Sequence, residues 1–270
     1  MQIDQFEARK IIRANNLLWR CTFYDEFVTL PMYDLCFVLN TDAHFMNCAM
    51  NFECEDLKEF EQELHIIEEF YKIRRKDSGI YLSQFDLPRG LELFLQERGY
   101  SEIKGEEGVF WGLDYTDLKE IKYEGLQNLE IRECRTTDEF AQYLIASKEG
   151  YNDFDYTPFA ASLSKMFNTH VDGITQLHFV GYVNRRPVAS GTIGVFFDTA
   201  LWINAAVIPE YRKRGINTAM MVRAIKEAHK LGATKFYYST DVDNVGSIKS
   251  GINIGFTEVI RQRMYSKVSR

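Results

Sequence analysis

The 270-residue chain has only five prolines, and no apolar run in it approaches the length of a membrane-spanning helix. Its first ten residues, Met1 to Lys10, are polar and charged, and lack the apolar centre of a secretory leader. Its five cysteines (Cys21, Cys36, Cys48, Cys54, Cys134) are odd in number and contain no C-x-x-C pair. Free buried thiols in a reducing, cytoplasmic setting follow from that pattern, rather than a disulfide framework. The five histidines have no metal-ligand spacing and no H-E-x-x-H is present, so no metal site is expected. No low-complexity tract or short repeat appears.

Apolar residues make up 46% and charged residues 26%, which fits globular cores and argues against wholesale disorder. The length suits two modest domains. Residues 1–125 hold 14 Lys and Arg against 25 Asp and Glu, a balance of −11, whereas residues 126–270 hold 18 against 14, a balance of +4. An acidic whole argues against nucleic acid as the main partner, while a mildly basic second half suits an anionic small ligand.

In residues 1–125 the patterning predicts a helix over 7–19, strands over 35–40 and 47–53, a long helix over 56–74, a strand over 79–85 and a short helix opening at Pro88. The long helix is marked by Leu57, Phe60, Leu64, Ile67 and Tyr71 at three- and four-residue spacing. Tyr100 to Asp114 reads as a hairpin turning near Gly105. The polar stretch Asp114 to Gly125 separates the two domains. Beyond it, strands are expected over 129–134, 176–183, 187–197, 201–207, 234–240 and 256–264. Helices are expected over 137–147, 158–167, 216–231 and 245–252. A strand–helix–strand crossover flanked by antiparallel strands implies a mixed sheet.

The most informative segment runs from Leu201 to Leu231. A strand ends at Val207, a loop follows, and Gly215 opens a helix with an apolar stripe of Met221, Ala224, Ile225 and Ala228. A helix N-terminus leaves backbone N–H groups unpaired and carries partial positive charge. Arg212, Lys213 and Arg214 set three cations beside it, and Gly215 permits close approach of a phosphate. Any strand–loop–helix connection uses a glycine and often basic residues, so this segment alone leaves a purely structural role open. Walker and dinucleotide fingerprints are excluded, because the further glycines and the Lys-Ser/Thr pair are missing.

Val207, Pro209, Tyr211, Arg212 and Gly215 together resemble motif A of the GNAT acetyltransferases. Downstream, Asn244, Ser247, Gly255 and Phe256 resemble that family's N-x-x-A/S block and its G-F pair. The resemblance covers about half the chain. It implies a GNAT fold, a mixed, mainly antiparallel central sheet flanked by helices (α+β or α/β) over 126–270. The element order of 1–125 echoes that fold. Two GNAT-like lobes in tandem are therefore expected, the first degenerate because its corresponding loop, Glu53 to Asp56, is acidic.

The resemblance further implies that acetyl-CoA is a co-substrate. Its expected contacts are Ala206, Val207, Arg212, Lys213, Arg214, Gly215, Ile216, Asn217, Thr218, Asn244 and Ser247. The implied reaction moves the acetyl group to a primary amine of a small molecule or peptide, with no nucleic acid or membrane partner. Asp153, Asp155 and Tyr156, with Trp202, are candidates for the acceptor side, although Asn and Asp are equally at home in a solvated turn. Asn204 and Tyr238 are the candidates nearest the chemistry, each with core packing as its ordinary alternative. Two departures stand out. Asn217 occupies a position usually held by Gly or Ala, and Gly251 stands where many members carry a tyrosine that protonates the departing thiolate. A non-catalytic acyl-CoA-binding module is the competing reading.

Overall fold

The computed structural model describes residues 1–20, 23–120, 128–151, 166–168, 171 and 173–267. They form two compact units that are not contiguous halves. The first, here the C unit, comprises Met1, Phe110–Thr240 and Asn244–Val259. The second, the N unit, comprises Gln2–Val109, Asp241–Asp243 and the chain from Ile260 onward. The boundary expected at 125/126 lies outside the described residues, as do Cys21, Asp153, Asp155, Tyr156 and most of the helix expected over 158–167. Among the described residues no helix is long and apolar enough to cross a membrane.

Helix α1 (Gln5–Arg20) opens the N unit, followed by strands β1 (Glu26–Thr29), β2 (Asp34–Phe37) and β3 (Cys48–Met50). Helix α2 (Leu57–Ile73), strand β4 (Gly79–Ser83), helix α3 (Leu91–Glu97) and the two-residue strand β5 (Ser101–Glu102) complete its first half. The periodic apolar residues of α2 are its buried ones: Phe60, Leu64, Ile67 and Tyr71. They join Leu35, Phe37, Ala49, Ile80 and Phe94 in one core. Strands β2 and β3 are antiparallel, and β3 and β4 are parallel with α2 as their crossover.

The C unit begins with β6 (Gly108–Asp114), whose last five residues belong to it. Strand β7 (Leu129–Glu133) and helix α4 (Thr137–Gly150) follow, and then β8 (Thr175–Val183), β9 (Arg186–Phe196) and β10 (Thr199–Val207). Helix α5 (Ile216–Lys230) connects β10 to β11 (Lys235–Asp241), and α6 (Val245–Ile254) leads into β12 (Thr257–Ser266). Strands β7 to β10 form an antiparallel meander, and β10 and β11 pair in parallel across α5. In order, the C unit's sheet is β7-β8-β9-β10-β11-β6-β12, and the N unit's is β1-β2-β3-β4-β12, with β12 divided between them after Val259.

The hairpin expected over 100–114 does not form. Strand β5 pairs with β12 (Tyr265 against Glu102), and β6 lies between β11 and β12. Gly105 does turn the chain, with φ 88°, but the strands on either side of that turn find long-range partners. Gly112 shows how closely β6 is inserted. A Cβ there would meet Tyr237 of β11 at 2.9 Å and Val259 of β12 at 3.1 Å.

Candidate functional site

The site grows from the end of β10. Its antiparallel register with β9 runs from Thr199/Phe196 to Ile203/Thr192 and resumes at Ala206/Ser190, so Asn204 and Ala205 face Gly191 alone. That is a β-bulge, one extra residue that bends the strand and re-aims its backbone. Asn204 carries the positive φ of 50° that the bulge requires, a conformation asparagine tolerates better than most residues. Its side chain is buried, and its Nδ2 donates to the sulfur of Met166 at 3.5 Å. Gly191 is required for a second reason. The indole of Trp202 lies where its Cβ would be, 2.1 Å away.

On its other side β10 parts from β11 just before the bulge. The parallel pairs of β10 and β11 run from Thr199/Lys235 to Trp202/Tyr238, and β10 continues five residues past that point. The chain then makes a 3-10 turn over Pro209–Tyr211 and enters α5 through Lys213 (φ 62°) and Gly215 (φ 80°). Gly215 is the N-cap, no side chain caps the helix, and its first turn holds no acidic residue. The helix end therefore presents its backbone N–H groups and the positive end of its dipole without a resident anion.

The three cations differ in their attachments. Arg212 donates through Nε to the Val207 carbonyl at 3.0 Å and through Nη2 to the Gly150 carbonyl at 2.6 Å. Arg214 donates to the Glu210 carbonyl at 2.8 Å, with its guanidinium 5.0 Å from the centre of the Tyr211 ring. Lys213 is exposed at the loop's turn. Ile216 and Thr218 are buried at the helix start, and Asn217 reaches Met221 of the next turn.

Asn244 is the N-cap of α6, its Oδ1 accepting from the Ser247 N–H at 3.1 Å. The asparagine and serine of the downstream block are thereby coupled as cap and capped residue. Tyr238 fills the space against α6. Its hydroxyl points toward the Ser247 carbonyl at 3.5 Å, and a Cβ on Gly251 would sit 2.1 Å from that oxygen. Glycine at 251 thus follows from the packing of the tyrosine on β11. Burial pushes the Tyr238 phenol well above its ordinary pKa, so it stays protonated. Trp202 is also core, beside Ile193, Tyr238 and the buried face of α5.

The N unit offers an internal contrast. After β3, Asn51 also adopts positive φ, 66°. Yet α2 is capped by Asp56, whose carboxylate accepts from the N–H groups of Lys58 and Glu59, so an anion already occupies that helix end. The parting of β3 and β4 is also bridged. The buried Asp86 carboxylate accepts from the Phe52 N–H at 2.6 Å, and Leu87 exchanges backbone bonds with Phe52 and Cys54.

Residues with no sequence signal complete the C unit's site. Tyr143 on α4 and Tyr151 at its C-cap aim their hydroxyls at the carbonyls of Asn204 and Ala205, at 3.4 and 3.1 Å. Thr192 and His178 lie behind Tyr143. Only the three-dimensional pairing brings these to the bulge, because they sit on three different elements.

Comparison with known proteins agrees with this geometry. Residues 136–250 match the model of the acetyltransferase (GNAT) family. The chain is 25% identical over 135 residues to the [ribosomal protein bS18]-alanine N-acetyltransferase of Escherichia coli K12, covering 50% of this chain and 85% of that protein. In structure it resembles a GCN5-related N-acetyltransferase from Kribbella flavida at 15% identity, with TM-score 0.69 over 100% of this chain and 97% of that one. It also resembles a tandem GNAT protein from the clavulanic acid biosynthesis pathway at 11% identity, with TM-score 0.66 over 88% and 79% of the two chains. The fold of the whole chain is therefore that of GNAT proteins, and residues 136–250, with β10, the basic loop and α5 among them, are a domain of the acetyltransferase (GNAT) family.

Proposed function

We propose that the protein is an acetyl-CoA-dependent N-acetyltransferase acting on a primary amine. The observation that carries this reading is the open N-terminus of α5, entered through Gly215, flanked by Arg212, Lys213 and Arg214, and joined to a strand that has parted from its neighbour. A pyrophosphate would be held by the N–H groups around Gly215 to Thr218, with Asn244 and Ser247 facing the pantetheine arm. The backbone N–H of Ala206 or Val207, re-aimed by the bulge, is the donor for the oxyanion of the attacked thioester. The amine attacks in its neutral form, after an ammonium of pKa roughly 10 has lost its proton. Binding both reactants together supplies much of the rate. The E. coli relative acts on an alanine of a ribosomal protein, which favours a peptide α-amine over a small molecule as acceptor.

The N unit serves as a CoA-free lobe in this reading. Asp56 fills its helix end and Asp86 bridges its parted strands, so one chain takes one acetyl-CoA. The second reading, a non-catalytic acyl-CoA-binding module, draws on Gly251 and on the burial of the Tyr238 hydroxyl. A panel of N-terminal peptides and small amines, followed by release of free CoA thiol, separates the two. Transfer to at least one α-amine is expected. Tight acetyl-CoA binding with no transfer to any amine would favour the module.

A further inference from the structure

Four successive residues at the exit of β10 are each engaged by the second half of a single helix or its C-cap. The Asn204 carbonyl accepts from Tyr143, and the Ala205 carbonyl from Tyr151. Ala206 packs against Gly150 so closely that a Cβ on Gly150 would lie 2.7 Å from the Ala206 Cβ and 3.2 Å from the Val207 nitrogen. Val207 is tied through Arg212, which donates to its carbonyl and to that of Gly150. Tyr143 lies at the middle of α4, Gly150 is its last residue and Tyr151 its C-cap.

Hydrogen bonds continue behind Tyr143. Its hydroxyl lies within reach of the Asn204 carbonyl at 3.4 Å and of Thr192 Oγ1 at 3.0 Å. Thr192 Oγ1 in turn lies 2.8 Å from His178 Nδ1. Burial holds the imidazole neutral, pushing its pKa down to about 4. The chain runs from β8 through β9 and α4 to the bulge.

We infer that α4, from Tyr143 to its C-cap, acts as a clamp that sets the aim of the β10 backbone at 204–207, with Tyr143 and Tyr151 as positioning residues for acyl transfer. The inference rests on the proposed function for its effect on turnover, but the clamp itself is a property of the free protein. It also assigns Arg212 a bracing duty on main-chain carbonyls, beyond any attraction it has for phosphate. The bulged backbone is where a misplacement of a fraction of an ångström changes the orientation of an oxyanion donor.

The test uses the full chain with Tyr143→Phe and Tyr151→Phe. Each removes one hydroxyl and leaves the ring packing, and Tyr151, part-exposed, serves should the buried Tyr143→Phe fail to fold. The amide resonances of Ala205, Ala206 and Val207 are followed by NMR without ligand, and kcat and KM for acetyl-CoA are measured. The expected result is shifted amides at 205–207 and a kcat reduced about 10-fold or more, with KM for acetyl-CoA within about two-fold. Unmoved amides, or kcat and KM that change only in step with lost stability, overturn the clamp. If the wild type transfers to no amine, the amide shifts alone decide it. Moved amides then uphold the clamp while the enzyme reading falls.

Discussion

Removing β6 should unfold the C unit even though β6 lies in the first half of the sequence. Consider two fragments, 108–270 and 115–270, which share everything but Gly108–Asp114. In the full chain Leu113 is 1% exposed. Leu113 belongs to the C unit's core, and burying a side chain of this kind contributes about 1.5–3 kcal/mol, which the shorter fragment loses. Trp111, packed against the same core, adds to that, and β11 and β12 lose the strand that lies between them. Domains of this size are stable by only about 5–15 kcal/mol in total. Both fragments end identically, so the comparison isolates β6. Urea unfolding followed by circular dichroism should show a cooperative transition for 108–270 and a missing or strongly shifted one for 115–270. Equal midpoints, within about 1 kcal/mol of stability, would refute the assignment of β6 to this sheet.

Three further outcomes follow from particular contacts. His178 is neutral in the fold with a pKa pushed down to about 4, so its contribution is full above pH 6.5 and is lost as pH falls toward 4. That loss amounts to about 3 kcal/mol, and His178→Gln should flatten the stability decline between pH 7 and 4; an unchanged slope in thermal melts would count against a buried neutral imidazole. Gly251→Ala should cost about 1–3 kcal/mol by overpacking against Tyr238, and Tyr238→Leu in the same chain should recover part of it; strict additivity of the two changes would show that they do not touch. Asp56→Ala should destabilise the N unit by about 1 kcal/mol through loss of the α2 cap, without altering acetyl-CoA affinity, as read by denaturation and calorimetry together.

The helices among the described residues were legible in the sequence because their signals are local. The apolar spacing of α2, the glycine that opens α5 and the glycine that ends α6 each act within a few residues. Strand β1, only four residues with one buried, left too weak an alternation to be seen. The hairpin expected over 100–114 gives way because pairing is not local there, and a strand from the far end of the chain stands beside both of its arms. The basic loop was legible for the same reason as the helices. The bulge was not, since Asn204-Ala205-Ala206 has no composition that announces an extra residue, and its supports lie on α4, β8 and β9. Gly251 looked like a missing functional group from its sequence position. In the fold it is the space that the Tyr238 hydroxyl occupies.

Calorimetric titration of the intact protein with acetyl-CoA reads the open end of α5 itself. One site per chain is expected, abolished or weakened at least about 100-fold by Gly215→Glu, which sets a carboxylate at the open end of α5 where like charge repels a pyrophosphate. Two sites per chain, no measurable heat with the wild type, or an affinity indifferent to Gly215→Glu would contradict it.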